Sequence, residues 1–232
     1  MLLVREGDGA LVDQVLDKAG QKGTGRWTAQ VALEHGVPIP SISAAIDARV
    51  LSSRKAERVA ASKLLSGPSA APWDGPRDEL VARVHDALYA AKIVAYAQGM
   101  DLIARVSEEY EWGVNLSEMA RIWKGGCIIR ARFLDTIMAA FKDAPGLPNL
   151  LLDDNMRQWV ESRQGVWREV VGLAQRSGIP VGGMASGLTY FDSYRTADLP
   201  QNMTQAQRDA FGAHTYQRKD DPDGPFVHTD WL

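Results

Sequence analysis

Apolar residues recur at every third or fourth position along most of the chain, which is the spacing that places them on one face of an α-helix. This spacing predicts helices over about 27–33, 41–65, 77–112, 117–141, 153–177, 181–195 and 205–211. Either Asn115 or Ser117 is expected to cap the N-terminus of the helix that ends near residue 141, since the side chains of asparagine and serine can each accept a hydrogen bond from the first helical turn.

Two further features of the sequence bear on this helical pattern: a pair of glycines within one predicted helix, and the lack of segments in which apolar and polar residues alternate. Gly125 and Gly126 lie inside the helix predicted over 117–141, where glycine lowers helix stability. Either another backbone packs closely at that point or the helix kinks. No segment alternates strongly enough to predict a sheet, and the pairs Leu11–Val12 and Val15–Leu16 are ambiguous with helix favoured. The predicted fold class is all-α, with antiparallel helices joined by short turns.

The pattern changes in the tail that starts at Pro200. Residues 220–225 combine acidic residues, glycine and prolines and are unsuited to a regular element. The chain nevertheless ends on the apolar side chains of Phe226, Val227, Trp231 and Leu232. A solvated tail rarely ends in this way, so we expect these side chains to pack on this chain or on a partner. The expected domains are a helical domain over residues 1–199 and a tail over residues 200–232.

Composition removes several classes of function. The net charge of -3 and the pI of about 5.8 argue against a general nucleic-acid binder. Cys127 is the single cysteine, so no intrachain disulfide forms and a reducing compartment is expected. No apolar run approaches the roughly 20 residues that span a bilayer. The first seven residues lack the basic start and apolar block of a signal peptide.

A glycine-rich segment at residues 19–27 is the first candidate site for an anion. It holds three glycines, which let backbone N–H groups turn toward a ligand. Lys22 adds a positive charge and Thr24 adds a hydroxyl donor. The helix predicted from Trp27 adds the partial positive charge of a helix N-terminus. The alternative is a surface turn with solvated cations.

Two further regions carry cations. Arg49 lies between apolar residues of a predicted helix, where its side chain either extends to solvent or points into a polar pocket. Arg208 and His214 lie in the segment 207–216, whose alternative interpretation is a capped helix with His214 satisfying a backbone group. Two guanidinium groups and a lysine suit a phosphate dianion. The sequence does not show that these regions meet.

Other chemical signals are weak. His35, His85, His214 and His228 lack the spacing of a metal site, and none is predicted. The segment Gly23–Gly25 lacks the preceding strand and the third glycine of a dinucleotide-binding fingerprint. The seven tryptophans are mostly spaced as core or helix-packing residues rather than as a base-stacking platform.

Three long motifs carry a family resemblance. They are Ala19–Thr28 (AGQKGTGRWT), Ala48–Ser53 (ARVLSS) and Gln205–Tyr216 (QAQRDAFGAHTY). Shorter supporting matches are YAAKI at 89–93, WKGGCIIR at 123–130, NLLLD at 149–153 and FVHTDW at 226–231. Taken in their order along the chain, these motifs resemble the decarboxylating 6-phosphogluconate dehydrogenase family over nearly the whole chain.

The resemblance implies the all-α, C-terminal domain of a cytoplasmic homodimer whose tail crosses to the partner subunit. The family oxidises 6-phosphogluconate with NADP in the pentose phosphate pathway and then decarboxylates the product to ribulose 5-phosphate, without a metal. By motif, Lys22 and Thr24 contact the sugar phosphate and Arg49 grips its phosphate group. Arg208 and His214 reach the substrate site of the other subunit.

The resemblance also implies what this sequence lacks. The family's nucleotide-binding domain, and the first long helix with the lysine base and glutamate acid, precede the matched region. We therefore expect Met1 to begin a fragment, with no catalytic residue of its own, that shows no dehydrogenase turnover alone. The alternatives are a non-catalytic helical dimerisation or interaction module derived from the enzyme, and a companion chain that supplies the missing half.

Overall fold

The computed structural model describes residues 3–68 and 73–231, and within them it is an all-α protein. A two-stranded hairpin, β1 (Arg5–Glu6) and β2 (Gly9–Ala10), leads into a 3-10 turn at Leu11–Gln14. The helices are α1 (Thr24–Glu34), α2 (Pro40–Ser53), α3 (Lys55–Ala61), α4 (Arg77–Glu109), α5 (Leu116–Gly126), α6 (Phe133–Asp143), α7 (Asp154–Glu161), α8 (Gln164–Arg176), α9 (Gly182–Tyr194) and α10 (Gln201–Gly212), with a 3-10 turn at Leu150–Leu152.

The hairpin corrects the prediction that the sequence forms no sheet. Each strand has two residues, too few for alternation to appear in the sequence. Gly7 makes the connecting turn with φ of +56°, a conformation that glycine adopts without a steric penalty. The ambiguous pair Leu11–Val12 lies in the 3-10 turn, in line with the helical preference, whereas Val15 and Leu16 follow that turn and are not helical.

The helix predicted over 117–141 is two helices, so the single-helix prediction is wrong. Helix α5 ends at Gly126 and α6 begins at Phe133. The space beside both Gly125 and Gly126 is open, so close backbone packing is not what these glycines serve. Asn115 is the cap, because its Oδ1 accepts the Glu118 N–H at 3.0 Å. Predicted helices 41–65 and 153–177 are likewise each divided in two.

The chain forms two compact units, and the boundary between them follows Tyr190, within α9. Helix α4 is the centre of the first unit. This helix packs against α8, and the fully buried side chains of this unit include Ile93, Met100 and Trp167. A buried polar link joins α4 to α2: the Ser41 N–H donates to Gln98 Oε1 at 3.0 Å, and Gln98 Nε2 donates to Ser41 Oγ at 3.0 Å. This link fixes α2, which carries Arg49.

Many apolar side chains of this unit are exposed. They include Trp27 and Leu33 on α1, Leu51 on α2, and Leu88 on the first half of α4. The tryptophans divide accordingly, since Trp167 is buried whereas Trp27 and Trp112 are more than half exposed. The buried residues of α4 all lie between Ala87 and Ser107, and α1 contributes only Ala32 to the described buried set.

The second unit contains α10 and the C-terminal segment that folds back on it. Tyr216 and Val227 pair through two backbone hydrogen bonds of 2.9 Å. The Trp231 ring lies 5.8 Å from that of Tyr216, and its Nε1 donates to Asp209 at 2.8 Å. Trp231 therefore packs within its own unit, while Phe226 is exposed. Leu232, the last of the expected packing residues, and residues 69–72 lie outside the described residues.

Candidate functional site

The backbone N–H groups at the N-terminus of α1 are not capped by a side chain. Gly23 precedes the helix with φ of +103°, which requires glycine in practice, and no side chain accepts from the first turn. Thr24 is the first helical residue, and the first turn contains no acidic residue. Uncapped N–H groups and the helix dipole together favour an anion here. Lys22 and Thr24 are both exposed beside these donors.

Arg49 is joined directly to the glycine-rich loop. Its guanidinium Nη2 donates to the Gly20 carbonyl oxygen. A second link lies next to it: the Ala19 N–H donates to Ser52 Oγ at 2.9 Å, and that hydroxyl donates to the Arg49 carbonyl at 2.7 Å. The structure thus brings two of the three predicted cationic regions together. Arg49 is exposed, as the solvent-directed alternative expected, yet it also contacts a polar backbone group.

An ion-pair cluster fixes the start of the same loop. The Asp17 carboxylate accepts from Lys55 Nζ at 2.5 Å and from Arg58 Nη1 at 2.9 Å. These hydrogen bonds lower the pKa of Asp17 from 3.8 to about 2. Arg58 Nη2 also donates to the Asp17 and Ser52 carbonyls, at 3.0 and 3.1 Å. The sequence motifs did not single out this cluster, because its members lie about forty residues apart.

Close packing of α1 on α2 sets the distance between the loop and Arg49. A Cβ at Gly25 would lie 3.2 Å from Ile46 Cγ1, closer than most real contacts of a Cβ. Glycine at this position therefore serves the approach of the two helices.

A groove of about 1050 Å³ opens beside α1, with α4, α5 and the segment 128–130 as its other walls. Most of its lining is apolar, including Trp27, and its polar groups include Lys92, Tyr96 and Arg130. The Tyr96 hydroxyl donates to the Ile129 carbonyl at 2.6 Å. Burial, with a smaller contribution from the charge of Cys127, raises the pKa of Tyr96.

Arg208 and His214 belong to the second unit. Both are exposed, and Arg208 Nη1 donates to Gln205 Oε1 at 2.9 Å. Among the described residues, His214 makes no hydrogen bond to a backbone group, contrary to the alternative interpretation of this segment. Asp209 has that role, because its carboxylate accepts the Thr215 N–H at 2.9 Å.

Asp209 is the functional candidate that sequence reasoning missed. It is fully buried, and its carboxylate accepts from four donors. The available signal was a group of apolar and aromatic residues at the chain end without an evident partner. That signal does not identify an aspartate as the partner. Among the described residues, no group of three or more His, Cys, Asp or Glu side chains is arranged to hold a metal ion.

Within residues 3–68 and 73–231, none of the helices has the length and apolar character that crossing a bilayer requires.

Residues 3–231 match the model of the 6-phosphogluconate dehydrogenase C-terminal domain. The chain is 61% identical over 227 residues to the decarboxylating 6-phosphogluconate dehydrogenase of Synechocystis sp., covering 98% of this chain and 47% of the relative. It is 53% identical over 222 residues to the NADP(+)-dependent, decarboxylating enzyme of Bacillus subtilis, covering 96% of this chain and 47% of the relative.

A solved structure of Plasmodium falciparum 6-phosphogluconate dehydrogenase, described in apo form and in complex with its cofactor NADP+ and its substrate 6-phosphogluconate, superimposes with a TM-score of 0.91. It is 40% identical and covers 99% of this chain and 50% of its own. The chain thus spans about half the length of the relatives it matches. It belongs to the 6-phosphogluconate dehydrogenase family and corresponds to the C-terminal domain of that family.

Proposed function

We propose that this chain is the substrate-binding and dimerisation part of a 6-phosphogluconate dehydrogenase. In this proposal Lys22, Thr24 and Arg49 bind the phosphate of 6-phosphogluconate. Arg208 and His214 contribute to the corresponding site of a second copy through the C-terminal segment. The complete protein acts as a cytoplasmic homodimer that uses NADP to convert 6-phosphogluconate to ribulose 5-phosphate.

The observation that carries the phosphate assignment is the joining of Arg49 to the loop that precedes α1. Arg49 contacts the Gly20 carbonyl, so its guanidinium lies next to the loop that carries Lys22. The same loop ends at an uncapped helix N-terminus. A cation, a guanidinium and free N–H groups are complementary to a phosphate dianion in both charge and hydrogen bonding.

The cofactor and the reaction are supported by the relatives. The Bacillus subtilis relative is named as NADP(+)-dependent, and the Plasmodium falciparum structure was solved with NADP+ and with 6-phosphogluconate. The chemistry that NADP supplies when bound is acceptance of a hydride from the sugar. In this proposal, the residues of this chain orient the sugar phosphate by charge and hydrogen bonding.

Titration of the 232-residue chain with 6-phosphogluconate tests the phosphate assignment. We expect a rise in Tm, because a ligand that binds the folded state stabilises it. Arg49→Ala should weaken binding by about 10- to 150-fold, the equivalent of losing a charge-assisted hydrogen bond of about 1.5–3 kcal/mol. Isothermal titration calorimetry measures the change directly.

Two controls make this result specific. Arg157→Ala removes an exposed guanidinium of α7 and should leave the affinity unchanged. Gluconate, which lacks the phosphate, should bind the original chain and Arg49→Ala equally weakly. Equal affinity of Arg49→Ala and the original chain for 6-phosphogluconate contradicts the assignment.

The second candidate function is a non-catalytic interaction module. The specific observation in its favour is the set of exposed apolar side chains on α1 and α4, including Trp27 and Leu88. The same titration separates the two functions. A folded chain whose Tm does not respond to 6-phosphogluconate favours the module, and a response abolished by Arg49→Ala favours substrate binding.

A further inference from the structure

His214 lies in a turn with an uncommon backbone conformation. The residues on either side of it, Ala213 and Thr215, have φ of +48° and +60°. A positive φ is rare for a β-branched residue such as Thr215, and such conformations persist only when the surrounding contacts hold them. The contacts that hold this turn can be identified.

Asp209 and Gln205, both on α10, hold the turn from inside the unit. The Asp209 carbonyl accepts the Ala213 N–H at 2.8 Å, and its Oδ1 accepts the Thr215 N–H at 2.9 Å. Gln205 Nε2 donates to the Thr215 carbonyl at 2.6 Å. Both backbone polar groups of Thr215 are therefore bonded to α10, which fixes the direction in which His214 leaves the turn.

The same carboxylate also holds the C-terminal segment. The Thr229 N–H and Trp231 Nε1 donate to Asp209 Oδ2 at 3.0 and 2.8 Å, and His228 Nδ1 lies 3.0 Å from Oδ1. Burial alone raises the pKa of a carboxyl group, but these donors outweigh it and hold the pKa of Asp209 well below its ordinary value. Asp209 thus remains a charged acceptor, with the turn on one side and the segment on the other.

Gly212 makes room for the His214 ring. A Cβ at Gly212 would lie 2.8 Å from both Cδ2 and Nε2 of His214, closer than real contacts allow. Gly212 is the last residue of α10, and its φ is outside the left-handed region, so its backbone also suits alanine. The imidazole in its present position, and not the backbone, is therefore what a Cβ at Gly212 would displace.

We propose that Asp209 and Gly212 are positioning residues for His214, Asp209 by fixing the turn and Gly212 by admitting the ring over the end of α10. This inference rests on the proposed function, in which His214 contacts bound 6-phosphogluconate. Neither positioning residue needs to touch the ligand. Their effect on binding passes through the imidazole.

A double-mutant cycle on the 232-residue chain tests this inference, with 6-phosphogluconate as ligand and calorimetry as readout. His214→Ala should weaken binding by roughly threefold to tenfold, as expected for one lost hydrogen bond. Gly212→Ala should weaken it to within about a factor of two of the same value, because both changes remove the same contact. The double variant should bind no more weakly than His214→Ala alone.

Stability and spectroscopy distinguish positioning from damage to the fold. Gly212→Ala should leave Tm unchanged or slightly raised, since alanine favours a helix and only the end of a side chain has to move. In the NMR spectrum of Gly212→Ala, the signals of the His214 ring should be shifted from those of the original chain. Gly126→Ala is the matched control, because Gly126 also ends a helix but has open space beside it. Asp209→Asn should weaken binding and also lower Tm, since an amide cannot accept from all four donors.

Each outcome supports or overturns a stated claim. If His214→Ala weakens binding but Gly212→Ala does not, or if their effects add, the positioning inference is wrong while the proposed function stands. If His214→Ala has no effect although Arg49→Ala does, the role of His214 in binding is wrong and this inference falls with it.

Discussion

At the scale of single residues, two aspartates show how surroundings determine what a carboxylate does. Asp17 is mostly exposed and joins Lys55 and Arg58 at the start of the glycine-rich loop. Asp209 is fully buried and accepts four hydrogen bonds in the second unit. Both carboxyl groups have lowered pKa values, but the first holds cations and the second organises a turn.

The pH dependence of Asp17 is a direct prediction. Because folding lowers its pKa from 3.8 to about 2, its contribution to stability is present above pH 3.8 and is lost as the pH falls toward 2. Asp17→Asn should therefore lower Tm slightly at neutral pH, with a difference that disappears in strong acid. Melting curves of both proteins across this range measure it, with Asp47→Asn on α2 as the exposed control. A Tm difference that grows in acid would contradict the assignment.

At the scale of elements, α2 matters because it carries Arg49 to the loop. Three contacts position it: the buried link between Ser41 and Gln98, the close approach of Gly25 to Ile46, and the bond between Ser52 and the loop. The first of these is polar and buried, so its loss leaves hydrogen-bonding groups unsatisfied.

Gln98→Leu tests the importance of that link. The substitution keeps roughly the same volume but leaves the Ser41 N–H without its acceptor, so it should destabilise the protein by about 1–3 kcal/mol. Urea unfolding of the variant measures this free energy. Gln158→Leu, at an exposed position of α7, should change it by less than about 0.5 kcal/mol. Equal effects of the two substitutions would mean that the buried link contributes nothing specific.

At the scale of the whole molecule, nearly all of this chain matches about half of the length of each relative. The family model covers residues 3–231, and the relatives extend over roughly twice this length. The resemblance assigns the nucleotide-binding domain and the lysine and glutamate acid–base pair to the part of the family outside this match. The proposed function therefore predicts that substrate binding and turnover can be separated by experiment.

The 232-residue chain, supplied with 6-phosphogluconate and NADP+, should form no NADPH, because the resemblance places the groups that bind the nicotinamide cofactor and move protons in the part of the relatives outside the match. Absorbance of NADPH measures this, with the Bacillus subtilis relative as the active control. NADPH formation by the purified chain would contradict the prediction.

The helical class and the candidate cations could be determined from the sequence because both are local properties. Helical periodicity repeats within a few residues, so it survives without knowledge of the fold, and it predicted α4 and α9 to within a few positions. Lys22, Thr24 and Arg49 were chosen as phosphate-binding candidates from residue type and neighbours, and that role stays a prediction. The break between α5 and α6 was marked by two glycines, although their effect on the chain was not determined.

Only the tertiary structure decided which distant groups meet. The bond from Arg49 to Gly20 spans 29 residues, and the bond from Trp231 to Asp209 spans 22. Such contacts depend on how helices pack and where a tail returns, and no local pattern encodes them. Sequence alone therefore identified the charged groups suited to a phosphate, whereas long-range packing decided that Arg49 joins the loop and that Asp209 holds the turn around His214.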